Sequence, residues 1–282
     1  MTAVDRGPID RRSAALLALM APFAAVAAAS AQAPLAPPFP APPVAVARPP
    51  GGGPRDIAML VYPGLTALDL VGPQYMFAAL DGMRVHLVGR TLTPVTSDTG
   101  LVLTPTLDFA SCPADLAVLF APGGTDGTLA AMRDRDTLAF LADRGARAGR
   151  VASVCTGSLL LGAAGLLRGY RATSHWAARP VLAGFGAVPT DARVVRDRDR
   201  VTGAGVTAGL DLGLAMVAEL RGDAYAELVQ LGCEYDPRPP FAAGSPHTAP
   251  PAVTAEMTRL LSGFVAAAGR LAAERPPGVA PT

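Results

Sequence analysis

The sequence predicts an α/β protein with a doubly wound, mostly parallel sheet and helices on both of its faces. From about residue 56 onward, short apolar runs of strand length alternate with helix-like segments. The runs 57–62 and 116–120 are apolar throughout rather than at every second position, which is typical of parallel strands that are covered on both faces. Two of the runs end in Pro-Gly, as strands that lead into loops often do. We expect residues 56–247 to form a single domain.

The elements are expected in the following order. The strands are residues 57–62, 84–88, 101–104 at an edge of the sheet, 116–120, 151–154, and an extended run at 171–174. Residues 193–195 and 200–202 are expected to form a hairpin around a charged turn. The helices are residues 74–80 with Pro73 in the first turn, 128–147, a segment after residue 155, 177–183, 207–220 and 224–232. A last helix over 253–272 belongs to the C-terminal segment 248–282, outside the core.

The composition argues against several classes of function. The formal net charge is +1 and only 17% of the residues are charged, so no nucleic acid is expected as a partner. The three cysteines, Cys112, Cys155 and Cys233, are far apart, and the three histidines are equally scattered. A disulfide framework and a metal site are therefore not expected, and no cofactor is implied.

The first residues have the features of a secretory signal peptide. Paired arginines at positions 11–12 precede an apolar stretch (residues 14–29) that ends in the small-residue motif Ala-Ser-Ala. Residues 1–31 are therefore predicted to be a signal peptide, and residues 32–55, rich in Pro and Gly, a linker. The expected destination is the periplasm, by Sec or twin-arginine export, with no stable membrane association after cleavage. An uncleaved signal anchor is the alternative.

One cysteine lies where a nucleophile is expected. Cys155 follows the apolar strand 151–154 and begins a helix, with the small residues Ser153 and Gly157 on either side. A side chain at such a strand-to-helix turn is held at the carboxyl edge of the sheet. The unpaired amides and the dipole of a helix N-terminus favour a thiolate, so we expect a lowered pKa for this thiol. A structural cysteine at the end of a core strand is the alternative.

Four motifs occur in the order and at the separations found in one known family. They are Leu68-Asp69-Leu70-Val71-Gly72-Pro73, Ala121-Pro122-Gly123-Gly124-Thr125, Ser153-Val154-Cys155-Thr156-Gly157-Ser158 and Arg171-Ala172-Thr173-Ser174-His175-Trp176. With these motifs the chain resembles the PfpI-like branch of the class I glutamine amidotransferase superfamily, and within it the isonitrile (isocyanide) hydratases. The resemblance extends from about residue 56 to residue 246. It implies a flavodoxin-like, single-domain fold and a C2 homodimer to which residues 237–246 and the helix after them contribute.

The resemblance implies roles for individual residues. Cys155 matches the nucleophilic thiol, Asp69 the acid beside it, and Thr156 the hydroxyl residue that follows the thiol. Gly123 and Gly124 match a loop whose backbone N–H groups face the thiolate and would bind substrate or an oxyanion. Capping of the next helix is the alternative role for Asp69, and a first-turn helix position is the alternative for Thr156.

The implied reaction takes a small-molecule substrate and needs no metal or cofactor. The thiolate of Cys155 would attack the terminal carbon of an isocyanide while Asp69 delivers a proton, which gives a thioimidate. Water activated by the same carboxylate would then release an N-substituted formamide. Because this role requires a pKa near neutrality, we expect burial to raise the pKa of Asp69. His175 matches a histidine common in this branch and is interpreted as structural support for the site.

Other activities among relatives fit this chain less well. Peptidases of the superfamily carry a His directly after the cysteine, where this chain has Thr156. Glyoxalase- and deglycase-like relatives have Glu at the position of Asp69, so action on small aldehydes remains an alternative. A redox sensor that uses oxidation of Cys155 is the non-enzymatic alternative. AraC-type regulators share two signatures, but about thirty-six residues follow Pro246 and the signal peptide argues against DNA binding.

Overall fold

A seven-stranded sheet forms the centre of the protein. The computed structural model describes residues 55–274; the predicted signal peptide and nearly all of the predicted linker lie outside the described residues. The strands are β1 Asp56–Leu60, β2 Arg84–Gly89, β3 Val95–Thr96, β4 Val102–Leu103, β5 Leu107–Asp108, β6 Val118–Ala121, β7 Arg150–Val154, β8 Arg171–Ala172, β9 Val188–Pro189, β10 Val194–Asp197 and β11 Arg200–Gly203. The sheet has the order β10-β11-β7-β6-β1-β2-β5, and all its neighbours are parallel except β10 and β11. The predicted fold class and the predicted hairpin are confirmed.

The helices form two groups. They are α1 Ala67–Ala78, α2 Asp126–Arg133, α3 Arg135–Gly145, α4 Gly157–Ala163, a 3₁₀ helix Arg179–Phe185, α5 Ala208–Arg221, α6 Asp223–Gly232 and α7 Pro251–Ala273. Helix α5 contacts both α1 and α6, whereas α2, α3, α4, the 3₁₀ helix and α7 form a second contiguous group. The chain moves from β1 to β2 in one direction across the sheet and from β6 to β7 in the other. Because such crossovers are right-handed, the two directions place their helices on opposite faces.

Two short strands differ from the prediction. Residues 101–104 were expected at an edge of the main sheet, but Val102–Leu103 pairs with Val95–Thr96 in a separate antiparallel ribbon. The edge of the main sheet is Leu107–Asp108, which is parallel to β2. This strand is two residues long and only half-buried, so it leaves no apolar run that a sequence pattern could reveal.

Two helices also differ from the prediction. Helix α1 begins at Ala67 rather than near residue 74, so that Pro73 lies inside it and Asp69 in its first turn. The helix expected over 128–147 is divided by Asp134, whose backbone is extended and whose Oδ2 accepts a hydrogen bond from Thr137 Oγ1 (2.6 Å). The extended backbone of Asp134 separates α2 from α3, and its side chain makes no capping hydrogen bond to a backbone N–H of α3. The segment expected as a helix at 177–183 is a 3₁₀ helix.

The C-terminal helix is confirmed and is buried at one end only. The last turns of α7 contact the 3₁₀ helix and α2, and Ala268, Leu271 and Ala272 are buried there. The first half is exposed, including its apolar residues Val253 and Met257. Within residues 55–274, no helix combines the length and the apolar character needed to span a membrane.

Candidate active site

Loops from three neighbouring strands meet at one edge of the sheet. β1, β6 and β7 are parallel neighbours, so the segments that follow their carboxyl ends lie side by side. Asp69 lies in α1, which follows β1. Gly123 and Gly124 follow β6, and Cys155 and Thr156 follow β7. The fold thus brings together the five residues that three distant motifs predicted.

The backbone at Cys155 adopts an uncommon conformation. Its φ angle is 57°, in the left-handed region that non-glycine residues seldom occupy. Its N–H donates to the carbonyl oxygens of Gly203 (3.2 Å) and Ala204 (2.7 Å). Its carbonyl oxygen accepts the hydroxyl groups of Ser158 (3.1 Å) and Ser174 (3.0 Å). Bonds on both sides of the residue thus hold a strained turn, and strain of this kind is concentrated at functional sites.

Crowding at this turn explains the small residue at position 157. A Cβ on Gly157 would lie 2.2 Å from the carbonyl oxygen of Ala121, at the end of β6. Helix α4 therefore begins against the backbone of the neighbouring strand. This contact leaves no room for a side chain at position 157.

Asp69 is a buried carboxyl group that interacts with the thiol. It is 0% exposed, and its Oδ2 accepts the N–H of Gly123 at 2.9 Å. Its Oδ1 has no hydrogen bond of standard geometry to any described nitrogen or oxygen, while the thiol of Cys155 interacts with the carboxyl group. Burial raises the pKa of Asp69 to about 7, although the Gly123 N–H and the thiol each lower it. This agrees with the expected shift and cause; helix capping does not describe Asp69, because it lies inside α1.

The pKa of the thiol differs from the prediction. Cys155 is only 6% exposed, and burial raises the pKa of its thiol well above the ordinary value. The negative charge of Asp69 raises the thiol pKa further, while the N–H and the hydroxyl of Thr156 lower it. The expected lowered pKa is therefore wrong, because the donors at the start of α4 do not offset burial beside a carboxylate. Both members of the pair favour their protonated forms, so a proton is held in the site near neutral pH.

The two loop glycines are close to the site, but their N–H groups are not directed as expected. Gly123 donates to Asp69 Oδ2, and Gly124 donates to Thr156 Oγ1 at 2.9 Å. The expectation that both amides face the thiol is corrected: the amide that interacts with the Cys155 thiol belongs to Thr156. Gly123 nevertheless cannot carry a side chain, because a Cβ would lie 2.6 Å from the Thr156 nitrogen and 2.8 Å from Asp69 Oδ2. Binding of substrate or an oxyanion by this loop stays a prediction.

Two residues that were not predicted, Tyr62 and Thr128, extend the site. Thr156 Oγ1 donates to the carbonyl oxygen of Gly124 (2.6 Å) and lies 3.1 Å from Thr128 Oγ1. Thr128 Oγ1 also lies 3.1 Å from the Tyr62 hydroxyl, which donates to the carbonyl oxygen of Pro122 (2.9 Å). Neither residue stands in a recognisable motif: Tyr62 ends an apolar run, and Thr128 lies in the first turn of a helix.

His175 lies near the turn, but no observed bond joins it to the thiol of Cys155. Its Nδ1 accepts the N–H of Ala177 (3.4 Å), its ring contacts Trp176, and burial lowers its pKa. The preceding residue, Ser174, is the one that bonds to the carbonyl of Cys155. A lowered pKa keeps the imidazole neutral, which suits the predicted supporting role.

No metal centre is found in the part of the chain that the structure describes: no three of its His, Cys, Asp and Glu residues are grouped to hold an ion.

A cavity of about 400 Å³ lies beside the site, with Tyr62, Phe109 and Arg90 in its lining, but Cys155 and Asp69 do not line it. All three cysteines are free: Cys112 and Cys155 are buried and Cys233 is partly exposed.

A doubly wound sheet with a cysteine on a strained strand-to-helix turn, beside a buried acid, defines a class I glutamine amidotransferase-like protein. More narrowly, the DJ-1/PfpI family model matches residues 55–219, and the chain belongs to this family.

The relatives are consistent with that assignment. The isonitrile hydratase of Pseudomonas putida is 52% identical over 200 residues, which cover 71% of this chain and 87% of the relative. A ThiJ/PfpI family protein from Pseudomonas syringae, of known crystal structure, is 61% identical with a TM-score of 0.77, over 80% of this chain and 97% of that one. An HTH-type transcriptional regulator, GbdR of Pseudomonas aeruginosa, is 30% identical over 62% of this chain and 49% of its own length. Drosophila melanogaster DJ-1beta shares the fold at 22% identity and a TM-score of 0.56, over 64% of this chain and 98% of its own.

Proposed function

We propose that this protein is an enzyme that hydrates isocyanides to N-substituted formamides. The observation that carries the proposal is the buried pair of Cys155 and Asp69, in which the acid has a pKa of about 7. Similarity over most of the chain to the Pseudomonas putida isonitrile hydratase supports the choice of substrate class. An acid poised near neutral pH can both take up and give back a proton, and the reaction needs both events.

In the first half-reaction the thiol adds to the terminal carbon of the isocyanide. Asp69, as the carboxylate, takes the proton from the Cys155 thiol as the sulfur–carbon bond forms, and then delivers it to the same carbon. The product is a thioimidate, R–N=CH–S–Cys, and no proton leaves the site. The N–H and hydroxyl of Thr156 favour the anionic sulfur during attack, because both lower the pKa of the thiol.

In the second half-reaction water replaces the sulfur. Asp69 accepts a proton from the water as its oxygen attacks the thioimidate carbon, and the tetrahedral adduct expels the thiolate. The nitrogen gains one proton and the sulfur regains the other, which gives R–NH–CHO and the free thiol. The atoms of one isocyanide and one water are thus accounted for in the formamide.

The test is formamide formation by the purified protein from one aliphatic and one aromatic isocyanide. We expect Cys155→Ala to abolish turnover and Asp69→Asn to reduce it about 10²- to 10⁴-fold, the range typical of a general acid–base group. Cys233→Ser is the matched control, because it removes a partly exposed thiol outside the site. Mass spectrometry should find the thioimidate on Cys155 as a gain of the substrate mass.

Other outcomes point to other functions. Turnover of small aldehydes without turnover of isocyanides would assign the protein to the glyoxalase- and deglycase-like relatives. Sulfinate formation on Cys155 at low peroxide, without turnover of either substrate, would indicate a redox sensor. The burial and raised pKa of this thiol argue against rapid oxidation, since the thiolate is the reactive form.

We also propose that the protein is a C2 homodimer. Val253, Met257 and Leu260 lie on one side of α7 and are 52%, 43% and 59% exposed, which leaves an apolar strip for a second copy. Light scattering on the native protein should give twice the mass of the chain. The double variant Met257→Lys with Leu260→Lys should give the monomer mass, and an unchanged dimer would exclude this strip as the interface.

Export to the periplasm is likewise a proposal, supported by the sequence pattern of residues 1–31. Cell fractionation should recover a shortened protein outside the cytoplasm. Replacement of the arginines at positions 11–12 by lysines should block twin-arginine export and leave Sec export intact. A full-length protein confined to the cytoplasm would contradict the proposal.

A further inference from the structure

Three buried hydroxyl groups form a chain beside the proposed catalytic pair. Tyr62, Thr128 and Thr156 are 6%, 0% and 4% exposed. Thr128 Oγ1 lies at the centre, 3.1 Å from the Tyr62 oxygen and 3.1 Å from Thr156 Oγ1. The three residues belong to three separate segments: the segment that follows β1, the first turn of α2 and the turn before α4.

The two outer hydroxyls bind the backbone of the loop that follows β6. The Tyr62 O–H donates to the carbonyl oxygen of Pro122 (2.9 Å), and the Thr156 O–H donates to that of Gly124 (2.6 Å). Burial also raises the pKa of Tyr62, so that its hydroxyl stays protonated and remains a donor. Each outer hydroxyl therefore uses its one proton on the loop and offers only lone pairs to Thr128.

The hydroxyl of Thr128 completes this arrangement. It has one proton, which it can donate to Tyr62 or to Thr156 but not to both at once. Without it, the oxygens of Tyr62 and Thr156 would keep their bonds to the loop but lose the buried hydroxyl that lies 3.1 Å from each and can donate to one of them at a time. The loss of a buried hydrogen bond is costly. Rotation of either outer hydroxyl toward a new partner would release its carbonyl on the loop.

We infer that Thr128 is a positioning residue for the proposed reaction: it fixes the hydroxyls of Tyr62 and Thr156, which clamp the 122–124 loop and so hold the Gly123 N–H against Asp69. The catalytic part of this inference rests on the proposed function, whereas the clamp is a feature of the protein without substrate. The hydroxyls act on Asp69 through the loop, because the same loop carries the Gly123 N–H that donates to Asp69 Oδ2 (2.9 Å). No observed bond joins Thr128 itself to Cys155 or to Asp69.

The test compares Thr128→Val with Thr128→Ser. Valine has nearly the shape of threonine without the hydroxyl, whereas serine keeps the hydroxyl and loses a methyl group. The main measurement is the rate of Cys155 alkylation by iodoacetamide from pH 5 to pH 10, followed by mass spectrometry of the peptide. This profile reports the ionisation of Asp69 through its effect on the thiol and does not need an isocyanide.

In Thr128→Val we expect the Asp69 inflection to move about half to one unit to higher pH, because the carboxylate loses the Gly123 hydrogen bond. Thr128→Ser should keep the native profile. If the protein hydrates isocyanides, the valine variant should show the same displacement in its pH–rate profile, with a rate at pH 7 about two- to fivefold lower because less of Asp69 is ionised.

Two results would overturn the inference: a profile in Thr128→Val that matches the native one, or equal displacement in the valine and serine variants. Absence of isocyanide turnover in the native protein would instead count against the proposed function and leave the alkylation comparison decisive for Thr128. If Thr128→Val does not fold, Tyr62→Phe removes the other end of the chain of hydroxyls. We expect that variant to move the inflection in the same direction, and an unmoved inflection would contradict the clamp.

Discussion

The backbone N–H of Gly123 donates a 2.9 Å hydrogen bond to Oδ2 of Asp69, although the two residues lie 54 positions apart in the sequence. The bond joins the loop after β6 to the first turn of α1. It lowers the pKa of a carboxyl group that burial raises to about 7. The ionisation of the proposed acid thus depends on the position of a loop backbone, and the absence of a side chain at residue 123 is what permits the contact.

A methyl group at this position should therefore disrupt the site. In Gly123→Ala the new Cβ would lie 2.6 Å from the nitrogen and from Oγ1 of Thr156. Because neither neighbour can withdraw without moving the turn at Cys155, we expect activity to fall about 100-fold, as for a misplaced catalytic group. Steady-state kinetics on an isocyanide should measure the loss, and thermal unfolding should show a cost of about 1–3 kcal/mol.

Gly263→Ala is the control for that change. Gly263 lies within α7, and a Cβ there would meet no atom within 4 Å. Alanine favours a helix over glycine by about 1 kcal/mol, so this variant should keep its activity and be slightly more stable. Equal losses in both variants would mean that the contact with Thr156 has no special role.

Asp69 should reduce the stability of the folded protein at neutral and alkaline pH. Its folded pKa of about 7 exceeds the ordinary value of 3.8, so the folded state binds the proton more tightly. The free energy of unfolding therefore falls as pH rises from about 4 to about 7 and stays level above that. Three pH units set an upper bound of about 4 kcal/mol. Urea unfolding of Asp69→Asn should show a more stable protein at pH 8 and no difference at pH 4.

Asp56 should have the opposite effect on the free energy of unfolding: its ionised carboxylate should stabilise the folded protein. Its carboxyl group accepts hydrogen bonds from Arg84 (2.5 Å and 2.7 Å) and contacts His86 Nε2 (2.7 Å). The Arg84 bond, with a smaller effect of His86, holds its pKa below 3.8 against burial. The stabilisation is present above about pH 4 and is lost as pH falls through the folded pKa.

Asp56→Asn should therefore cost about 1.5–3 kcal/mol at pH 7, the range for a hydrogen bond to a charged group. The difference from the native protein should shrink below pH 4 in the same urea titration. Asp115→Asn is the matched control, because its pair with Arg147 is exposed and long (3.9 Å). We expect less than about 1 kcal/mol there. A loss at Asp56 that does not depend on pH would point to packing instead of charge.

The left-handed backbone at Cys155 gives a further prediction. Glycine adopts a positive φ without a steric cost, whereas other residues lose about 1–2 kcal/mol in this region. Cys155→Gly should therefore be more stable than Cys155→Ala by about 1 kcal/mol, measured by urea unfolding. Cys112 is the comparison, since among the described non-glycine residues only Cys155, Arg198 and Glu234 have positive φ. At Cys112 the alanine variant should be the more stable of the two.

Much of the fold could be predicted because its central strands are buried and largely apolar. β1, β6 and β7 are buried along nearly their whole length, so each leaves a clear signal. The edge strand β5 and the start of α1 leave none. In α1 a proline inside the helix was misleading, because Pro73 is more often found in a first turn.

The residues of the candidate site could be predicted, but not the direction of their hydrogen bonds. Three of the four motifs contain Cys155, Asp69, Thr156 and the glycine loop. Which acceptor each loop N–H reaches depends on backbone rotation that no pattern encodes. The prediction of a lowered thiol pKa was wrong for a related reason. The helix N-terminus is a local feature, whereas the burial that outweighs it comes from segments distant in the sequence. Thr128 has no local signal, because its role comes from contacts with two other segments.

The pair of raised pKa values leads to a last prediction that separates thiol reactivity from catalysis. The charge of Asp69 raises the pKa of the Cys155 thiol, in addition to burial. In Asp69→Asn that charge is gone, so more thiolate forms at a given pH. Each unit of decrease in the thiol pKa should speed alkylation by iodoacetamide at pH 8 about tenfold.

The same variant should be nearly inactive toward isocyanides, because it has no group to carry the proton to carbon. Alkylation of the Cys155 peptide, measured by mass spectrometry in a Cys112→Ser and Cys233→Ser background, gives the rate. Slower alkylation in Asp69→Asn would mean that the carboxylate serves as the base that activates the thiol toward every electrophile, and that its charge is not the dominant influence on the sulfur.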